Sequence, residues 1–255
     1  MKNDERQDVV LSEICCQCLK DIQDVSYALA YTLLYLRDYQ ALQKRFRSIS
    51  PKVQEEGDWV RIRFEGMAIA FSISDEAIKF YRPIIQEFQC FGSAVRILGV
   101  YESYVRRIVE LSNQRIPNEM DKFRSDHNKL IRNDKSFWND KLGRGINFLQ
   151  EVFGWNPSPK YRPGLQLMFH IRNLTVHNAG IADQRLCQLA NNPHVELIGK
   201  LKVGDKVSWN LGTVLQLQHL VITILTNADP YVANKLKLPT LKKRAFWRED
   251  NTLNT

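Results

Sequence analysis

An arginine, an asparagine and a histidine lie within six residues in the segment Arg172-Asn173-Leu174-Thr175-Val176-His177. Arginine binds phosphate oxygens through a planar fork of N–H donors. Histidine is the side chain that accepts and returns a proton near neutral pH. These residue types in this spacing indicate chemistry on a phosphodiester, and no other segment of the chain gives as specific a signal.

A helix is predicted to carry this motif, with Pro163 in its first turn and Asn178-Ala179-Gly180 at its end. Gly180 is the expected C-terminal cap. At about 100° per residue, four uncharged hydrogen-bonding side chains share a stripe roughly 60° wide, opposite to the apolar side. They are Gln166, His170, Asn173 and His177. A stripe of this kind indicates a polar cleft.

Arg172 does not belong to the stripe, because it lies roughly 140° around the helix axis from His177. Two arrangements bring both side chains to one phosphate. Either the helix unwinds near residues 178–180 and swings His177 across, or two symmetry-related copies of the helix build one composite site. The second arrangement requires an isologous dimer.

The run Arg172-Asn173-Leu174-Thr175-Val176-His177, followed by Asn178-Ala179-Gly180, resembles the R-N-x-x-x-H motif of the HEPN superfamily (higher eukaryotes and prokaryotes nucleotide-binding domains). The order downstream is also similar, with a short extended excursion through residues 203–207 and then a closing helix. The resemblance covers about residues 80–230. It is greatest to the stand-alone bacterial HEPN proteins of toxin–antitoxin and phage-defence systems.

This resemblance implies an antiparallel four-helix bundle that dimerises with its motif helices facing each other. It also implies RNA cleavage without a metal or cofactor, through attack of the ribose 2′-hydroxyl, which DNA lacks. Arg172 would hold the scissile phosphate, His177 would move a proton, and Asn173 would orient the histidine or the phosphate. Some HEPN toxins carry a tyrosine where this chain has Ala179, so neutralisation by modification of that tyrosine is in doubt here.

Five weaker candidates for substrate binding accompany the motif. They are Gln166, His170, Glu102, Arg61 and Arg63. Arg61 and Arg63 alternate with apolar residues in a predicted strand, and Glu102 lies on a helix that could face the cleft. An exposed surface role is the ordinary alternative for Arg61, Arg63 and Glu102. Gly143-Arg144-Gly145 is too short and isolated to be a phosphate-binding fingerprint.

The composition of the 255-residue chain is that of a water-soluble globular protein, with 44% hydrophobic and 25% charged residues. Its net charge of +8 favours polyanionic partners. The polar start resembles no signal peptide and no apolar run is long enough to span a bilayer, so a cytoplasmic location away from membranes is expected. Cys15 and Cys18 have C-x-x-C spacing but lack a second pair, so buried thiols are favoured over a metal site.

The predicted fold class is mainly α, a HEPN-like antiparallel four-helix bundle with an N-terminal helix and small β-hairpins as additions. Residues 1–75 are expected to form an extension, with a helix over 8–48 and a strand pair around Glu65-Gly66. The helical domain covers 76–234. Residues 235–255 form a basic, flexible tail. A second small hairpin is expected over 195–209, around Val203-Gly204-Asp205.

The leading hypothesis is a metal-independent endoribonuclease of HEPN type with its site at a dimer interface, acting as a toxin or phage-defence effector. Its partners would be RNA, a second copy of the chain and a regulatory protein such as an antitoxin. One alternative is a non-catalytic RNA-binding or scaffolding HEPN protein. Another is a helical interaction protein in which the motif only ends a helix, and this protein would not bind RNA at moderate salt.

Overall fold

The computed structural model describes residues 8–37, 59–64, 67–72, 75–127, 140–195 and 200–244. Within these ranges the protein is mainly helical, with seven α-helices and four short β-strands. The predicted mainly α fold class is therefore confirmed.

The helices of the described ranges are numbered in chain order. They are α1 (Glu13–Arg37), α2 (Asp75–Arg115), α3 (Pro117–Asp126), α4 (Ile146–Phe153), α5 (Tyr161–His177), α6 (Gln184–Ala190) and α7 (Leu211–Leu236), with a 3-10 helix at Asp140–Gly145 before α4. The strands are β1 (Asp8–Ser12), β2 (Trp59–Phe64), β3 (Met67–Ser72) and β4 (Thr240–Arg244). Two antiparallel pairs form, β1 with β4 and β2 with β3. The predicted strand pair around Glu65-Gly66 is thus confirmed.

Helix α2 is the central element, because α1, α5 and α7 all pack against it. Its buried side chains recur every three or four residues, which places them on one face of the helix. They include Ala94, Ile97, Leu98, Tyr101, Tyr104, Val105 and Ile108. Apolar residues of α1, α4, α5 and α7 belong to the same hydrophobic cluster. Pro83 lies within α2 without dividing it.

The predicted helix over residues 8–48 begins later than expected. Residues 8–12 form β1, which pairs antiparallel with β4, and α1 starts at Glu13. Residues 38–48 lie outside the described part of the chain. The flexible tail expected from residue 235 is also wrong as far as residue 244, because α7 continues to Leu236 and β4 follows it. When two paired strands lie at opposite ends of the described chain, the local pattern of neither sequence shows that the two strands pair.

The hairpin expected over residues 195–209 does not form as predicted. A turn is present at Val203-Gly204-Asp205, but Lys206 after it pairs with Ile181, just past the end of α5. Residues 196–199 lie outside the described part of the chain. The turn therefore brings the following segment against the motif helix, where it closes the end of that helix.

A fully buried carboxylate ties β1 to helices α2 and α7. Asp229 accepts hydrogen bonds from the Ser12 hydroxyl (2.7 Å), the Ser12 backbone N–H (2.6 Å) and the Tyr104 hydroxyl (2.9 Å). The Ser12 hydroxyl oxygen also accepts from the Cys15 N–H (3.1 Å), so it caps α1. Burial raises the pKa of Asp229, although these hydrogen bonds favour the carboxylate and act against that rise.

Helix α7 is capped by Asn210, whose side-chain oxygen accepts from the Thr213 N–H (3.0 Å) and hydroxyl (3.2 Å). By length and composition alone this helix could cross a membrane. More than half of that apolar window is buried inside the protein, at 56%. The core helix of a water-soluble protein has the same properties.

Candidate active site

Helix α5 carries the predicted motif at its C-terminal end. Its apolar side is buried against the rest of the protein through Leu167, Met168 and Ile171. The helix ends after His177, because Ala179 and Gly180 have left-handed backbone angles (φ 49° and 77°). The Gly180 N–H donates to the Leu174 carbonyl (3.0 Å), and a Cβ on Gly180 would lie 2.6 Å from the Val207 oxygen. Only glycine fits there, so the predicted C-terminal cap is confirmed.

The last turn of α5 is anchored by the buried indole of Trp209. The Trp209 Nε1–H donates to the Thr175 hydroxyl oxygen (3.1 Å), and the Thr175 hydroxyl donates to the Ile171 carbonyl (2.9 Å). The indole also lies 6.3 Å from the Phe91 ring of α2, measured between ring centroids. The end of the motif helix is therefore fixed beside residue 91 of α2.

Arg172 is held by three neighbours on the side of α5 that faces α2. Its guanidinium lies 5.3 Å from the centroid of the Phe169 ring and 3.6 Å from the Glu102 carboxylate, measured from Nη1 to Oε1. Its Nη2 donates to the Asn173 side-chain oxygen (3.1 Å). The Arg172 side chain is 28% exposed, so the guanidinium is positioned and still reaches solvent. Glu102, a weak candidate from sequence, is thus brought to Arg172, and Asn173 orients the arginine.

His177 is the last residue of α5, and its side chain is exposed. In the described ranges, its imidazole makes no hydrogen bond or ion pair. The helix remains regular through His177 and turns only after it, so the unwinding considered from sequence does not occur. Arg172 and His177 stay roughly 140° apart around the axis. The composite arrangement with a second copy stays a prediction.

The side chain of His170, which is predicted to line a polar cleft, instead pairs with Asp183, the N-cap of α6. The His170 Nε2 lies 2.9 Å and 3.0 Å from the two Asp183 carboxylate oxygens, and Asp183 also accepts from the Leu186 N–H (2.7 Å). Desolvation would raise the pKa of Asp183, but the hydrogen bonds from Leu186 and His170 outweigh it and hold the pKa below the ordinary value. His170 therefore supports the loop after the motif. Gln166 is half-buried earlier on α5.

Arg144 is a site residue that the sequence did not single out. Gly143, Arg144 and Gly145 all have positive φ angles (58°, 56° and 93°), and the Arg144 guanidinium lies 5.0 Å from the Phe169 ring centroid. The buried Tyr101 hydroxyl donates to the Arg144 carbonyl (3.0 Å). A left-handed arginine is uncommon and costs about 1–2 kcal/mol. The flanking glycines, which adopt this geometry freely, were the available signal.

Arg144, Arg172 and Glu102 interact electrostatically in this cluster. Arg144 and Arg172 both lie over the Phe169 ring, and Glu102 is the acidic residue that acts on both. Desolvation lowers the pKa of Arg144, as does repulsion from Arg172, while attraction to Glu102 raises it. Arginine remains a cation at neutral pH despite such a shift. The arrangement is suited to binding an anion.

The remaining candidates contribute less to the site. The β2 strand places Arg61 opposite Ala70 and Arg63 opposite Ala68, but the side chains of both arginines lie outside the described part of the chain. Within the ranges that the structure describes, no group of three His, Cys, Asp or Glu residues is placed to hold a metal ion. Cys15 and Cys18 are buried free thiols, as predicted, and burial raises the pKa of both.

Comparison with protein-family models, with curated proteins and with solved structures finds no significant match. Functional inference for this chain therefore depends on the residues and their geometry. The site has one arginine that is held in place and partly exposed, one exposed histidine at the end of the same helix, and a second arginine beside the first.

Proposed function

We propose that this protein is a metal-independent endoribonuclease of HEPN type, with an antiparallel four-helix bundle, acting in the cytoplasm as a toxin or phage-defence effector. The observation that carries the proposal is the state of the motif side chains. Arg172 is held toward solvent by Glu102, Asn173 and Phe169, and His177 is exposed and uncommitted. A histidine with a purely structural role would more often be hydrogen-bonded to the protein itself.

The reaction that fits these residues is transesterification within RNA. The ribose 2′-oxygen attacks the phosphorus, the bond from phosphorus to the 5′-oxygen breaks, and the products end in a 2′,3′-cyclic phosphate and a 5′-hydroxyl. One proton leaves the 2′-hydroxyl and one arrives on the 5′-oxygen. His177 carries one of these transfers and water the other. Arg172 stabilises the negative charge that builds on the phosphate oxygens.

A second copy of the chain is the proposed source of the other half of each site. This is supported by the regular helix between Arg172 and His177, which keeps the two side chains on different sides of α5. Val176, one turn after Arg172 on the same side, is 57% exposed. An apolar side chain left in water beside the motif is consistent with a contact there.

The N-terminal part of α2 offers a larger apolar surface next to the motif. At about 100° per residue, Phe80, Ile84 and Phe88 lie within roughly 40° of Glu102 around the axis of α2. They are 65%, 44% and 71% exposed, and Tyr81 and Ile85 beside them are 53% and 41% exposed. We call these five residues the apolar stripe.

The apolar stripe begins where α5 ends. Phe91 of α2 contacts Trp209 beside the last turn of α5, so α2 residues before Phe91 extend past the motif helix. An exposed apolar surface of this extent indicates a protein contact. A second copy is the partner we favour, because one contact would then cover the stripe and complete the site.

Cleavage of RNA in the presence of EDTA tests the proposed reaction. We expect the parent protein to cleave, leaving cyclic phosphate ends. The change His177→Ala should lower the rate about a hundredfold or more, and Arg172→Ala should do likewise. His219→Ala, which removes an exposed histidine of α7, is the matched control and should leave the rate unchanged. If both motif variants cleave as well as the parent, the assignment is wrong.

Mixing the two inactive variants tests the composite site. If Arg172 of one copy works with His177 of the other, a mixed dimer of Arg172→Ala and His177→Ala has one intact site. We expect recovery of up to about a quarter of the parent rate after the mixture is unfolded and refolded together. If each site lies within one copy, the mixture stays inactive although the single variants still dimerise.

The second candidate function is RNA binding without cleavage, as in a scaffolding HEPN protein. It is favoured by the freedom of His177, since a catalytic base is usually oriented by a third group. In that case the parent binds RNA with a steep salt dependence, yet leaves it intact.

A further inference from the structure

The loop before α4 places a second arginine at the motif although the two segments are distant in sequence. Three consecutive residues, Gly143, Arg144 and Gly145, have left-handed backbone angles. A side chain at Gly145 would be strained, because the φ of 93° is left-handed and a Cβ would lie only 3.0 Å from Cγ1 of Val105. The hydroxyl of Tyr101, which is fully buried, donates to the Arg144 carbonyl. The conformation of Arg144 is therefore set by the packing of α2.

This conformation brings two like charges to one aromatic ring. The guanidinium groups of Arg144 and Arg172 lie 5.0 Å and 5.3 Å from the centroid of Phe169, which is itself fully buried. Like charges held close together repel, and the repulsion is relieved when an anion binds between or beside them. The Glu102 carboxylate lies 3.6 Å from Arg172 and attracts the Arg144 guanidinium as well.

We propose that Arg144 binds backbone phosphate oxygens of a single-stranded RNA beside the phosphate held by Arg172, so that the two arginines form one extended phosphate site. The inference rests on the proposed function for the identity of the ligand. Arg144 is partly exposed, and its planar fork of donors matches the oxygens of a phosphodiester. Desolvation lowers the pKa of Arg144 and repulsion from Arg172 lowers it further, and this repulsion is relieved in the complex.

The alternative role for Arg144 is to cover the Phe169 ring. The change Arg144→Met separates the two roles, because methionine keeps an apolar stem over the ring and removes the charge. Arg144→Gln removes the charge with a polar group, and Arg144→Lys keeps the charge without the planar fork. Arg96→Gln, on an exposed position of α2, is the control for loss of one positive charge.

The test is fluorescence anisotropy with a labelled short oligodeoxythymidylate, titrated at a series of NaCl concentrations. This probe has no 2′-hydroxyl, so binding is measured without cleavage. For Arg144→Met and Arg144→Gln we expect Kd to rise about tenfold and the slope of log affinity against log salt to fall by about 0.7. For Arg144→Lys we expect an unchanged slope and a Kd about threefold higher. Arg96→Gln should change Kd less than about twofold.

Circular dichroism and thermal melting establish that each variant is folded. The proposal is overturned if folded Arg144→Met or Arg144→Gln binds with the Kd and slope of the parent, or if the parent does not bind the probe. Should both variants fail to fold, Arg144→Lys decides, and parent-like affinity of that variant overturns the proposal.

The outcome for Arg144 is distinguishable from the outcome for the proposed function. If the parent cleaves no RNA but loses probe affinity when Arg144 is changed, the nuclease assignment fails and the phosphate site stands. If the parent cleaves RNA while Arg144→Met retains the parent's KM and probe affinity, the phosphate site fails and the nuclease assignment stands.

Discussion

Two polar clusters pack against the same central helix, α2, and they are built in opposite ways. In the first, the buried Asp229 carboxylate accepts hydrogen bonds from both Ser12 and Tyr104, and all three residues are fully buried. The donors and the acceptor satisfy one another within the protein. Such a cluster stabilises the fold and has no capacity left for a ligand.

In the second cluster, two guanidinium groups lie over one ring, and the Glu102 carboxylate is 3.6 Å from that of Arg172. Arg172 and Glu102 keep 28% and 27% of their side chains in solvent, and Arg144 lies in a strained loop. Arg172 and Glu102 are therefore accessible to a ligand. The difference indicates that the first cluster serves stability and the second serves recognition, and the following changes separate the two roles.

The largest effect on stability is expected from Asp229→Ala. Two Ser12 donors and the Tyr104 hydroxyl would lose their acceptor in the core, which should lower the free energy of unfolding by about 3–5 kcal/mol. Urea denaturation followed by circular dichroism measures this change. Asp24→Ala, at an exposed position of α1, is the control. A loss below about 1 kcal/mol would contradict the structural role of the first cluster.

A large effect on activity and a small one on stability are expected from Glu102→Gln. Loss of the carboxylate releases the Arg172 guanidinium from its orientation, so kcat for RNA should fall about tenfold. KM for RNA should fall, because the variant lacks a negative charge beside the phosphate site. Steady-state kinetics separates the two constants. A raised KM with an unchanged kcat would show that Glu102 does not position Arg172.

The smallest effect is expected from Asp183→Ala, outside both clusters. Loss of the α6 cap should cost about 1 kcal/mol of stability at neutral pH and leave probe affinity unchanged. The pKa of Asp183 is lower in the folded state, so the carboxylate's contribution is complete above its ordinary pKa of 3.8 and declines as the pH falls through the lower folded value.

The Asp183→Asn variant isolates this titration, because asparagine also caps a helix. Its stability deficit relative to the parent should shrink as the pH falls toward about 3. A deficit that grows on acidification would contradict the direction of the pKa shift.

The helical parts of the fold follow from periodicity. The apolar spacing of α2, α5 and α7 and the end of α5 at Gly180 are readable locally, because burial of one helix face repeats every three or four residues. The pairing of β1 with β4 is not readable. Its partners lie at opposite ends of the described chain, and Leu241 to Arg244 has the composition of a solvated basic tail.

The candidate site was predictable only in part, for the same reason. Arg172, Asn173 and His177 share a short segment, so their types and spacing are visible together. Arg144 reaches Phe169 through a left-handed loop that depends on the packing of Tyr101, and no local pattern reports that contact. The glycines on either side of Arg144 indicate an unusual backbone conformation, but they do not show that the arginine reaches Phe169.

The antiparallel pair of β1 and β4 also sets an order of events during synthesis. Helix α1 can pack on α2 once residue 115 has left the ribosome, and the motif helix can form soon after residue 177. The pairing strand for β1 and the Asp229 acceptor for the Ser12 hydroxyl become available only when α7 and β4 emerge. A chain stalled before residue 240 leaves an unpaired strand edge in water, which is the kind of surface that chaperones and proteases recognise.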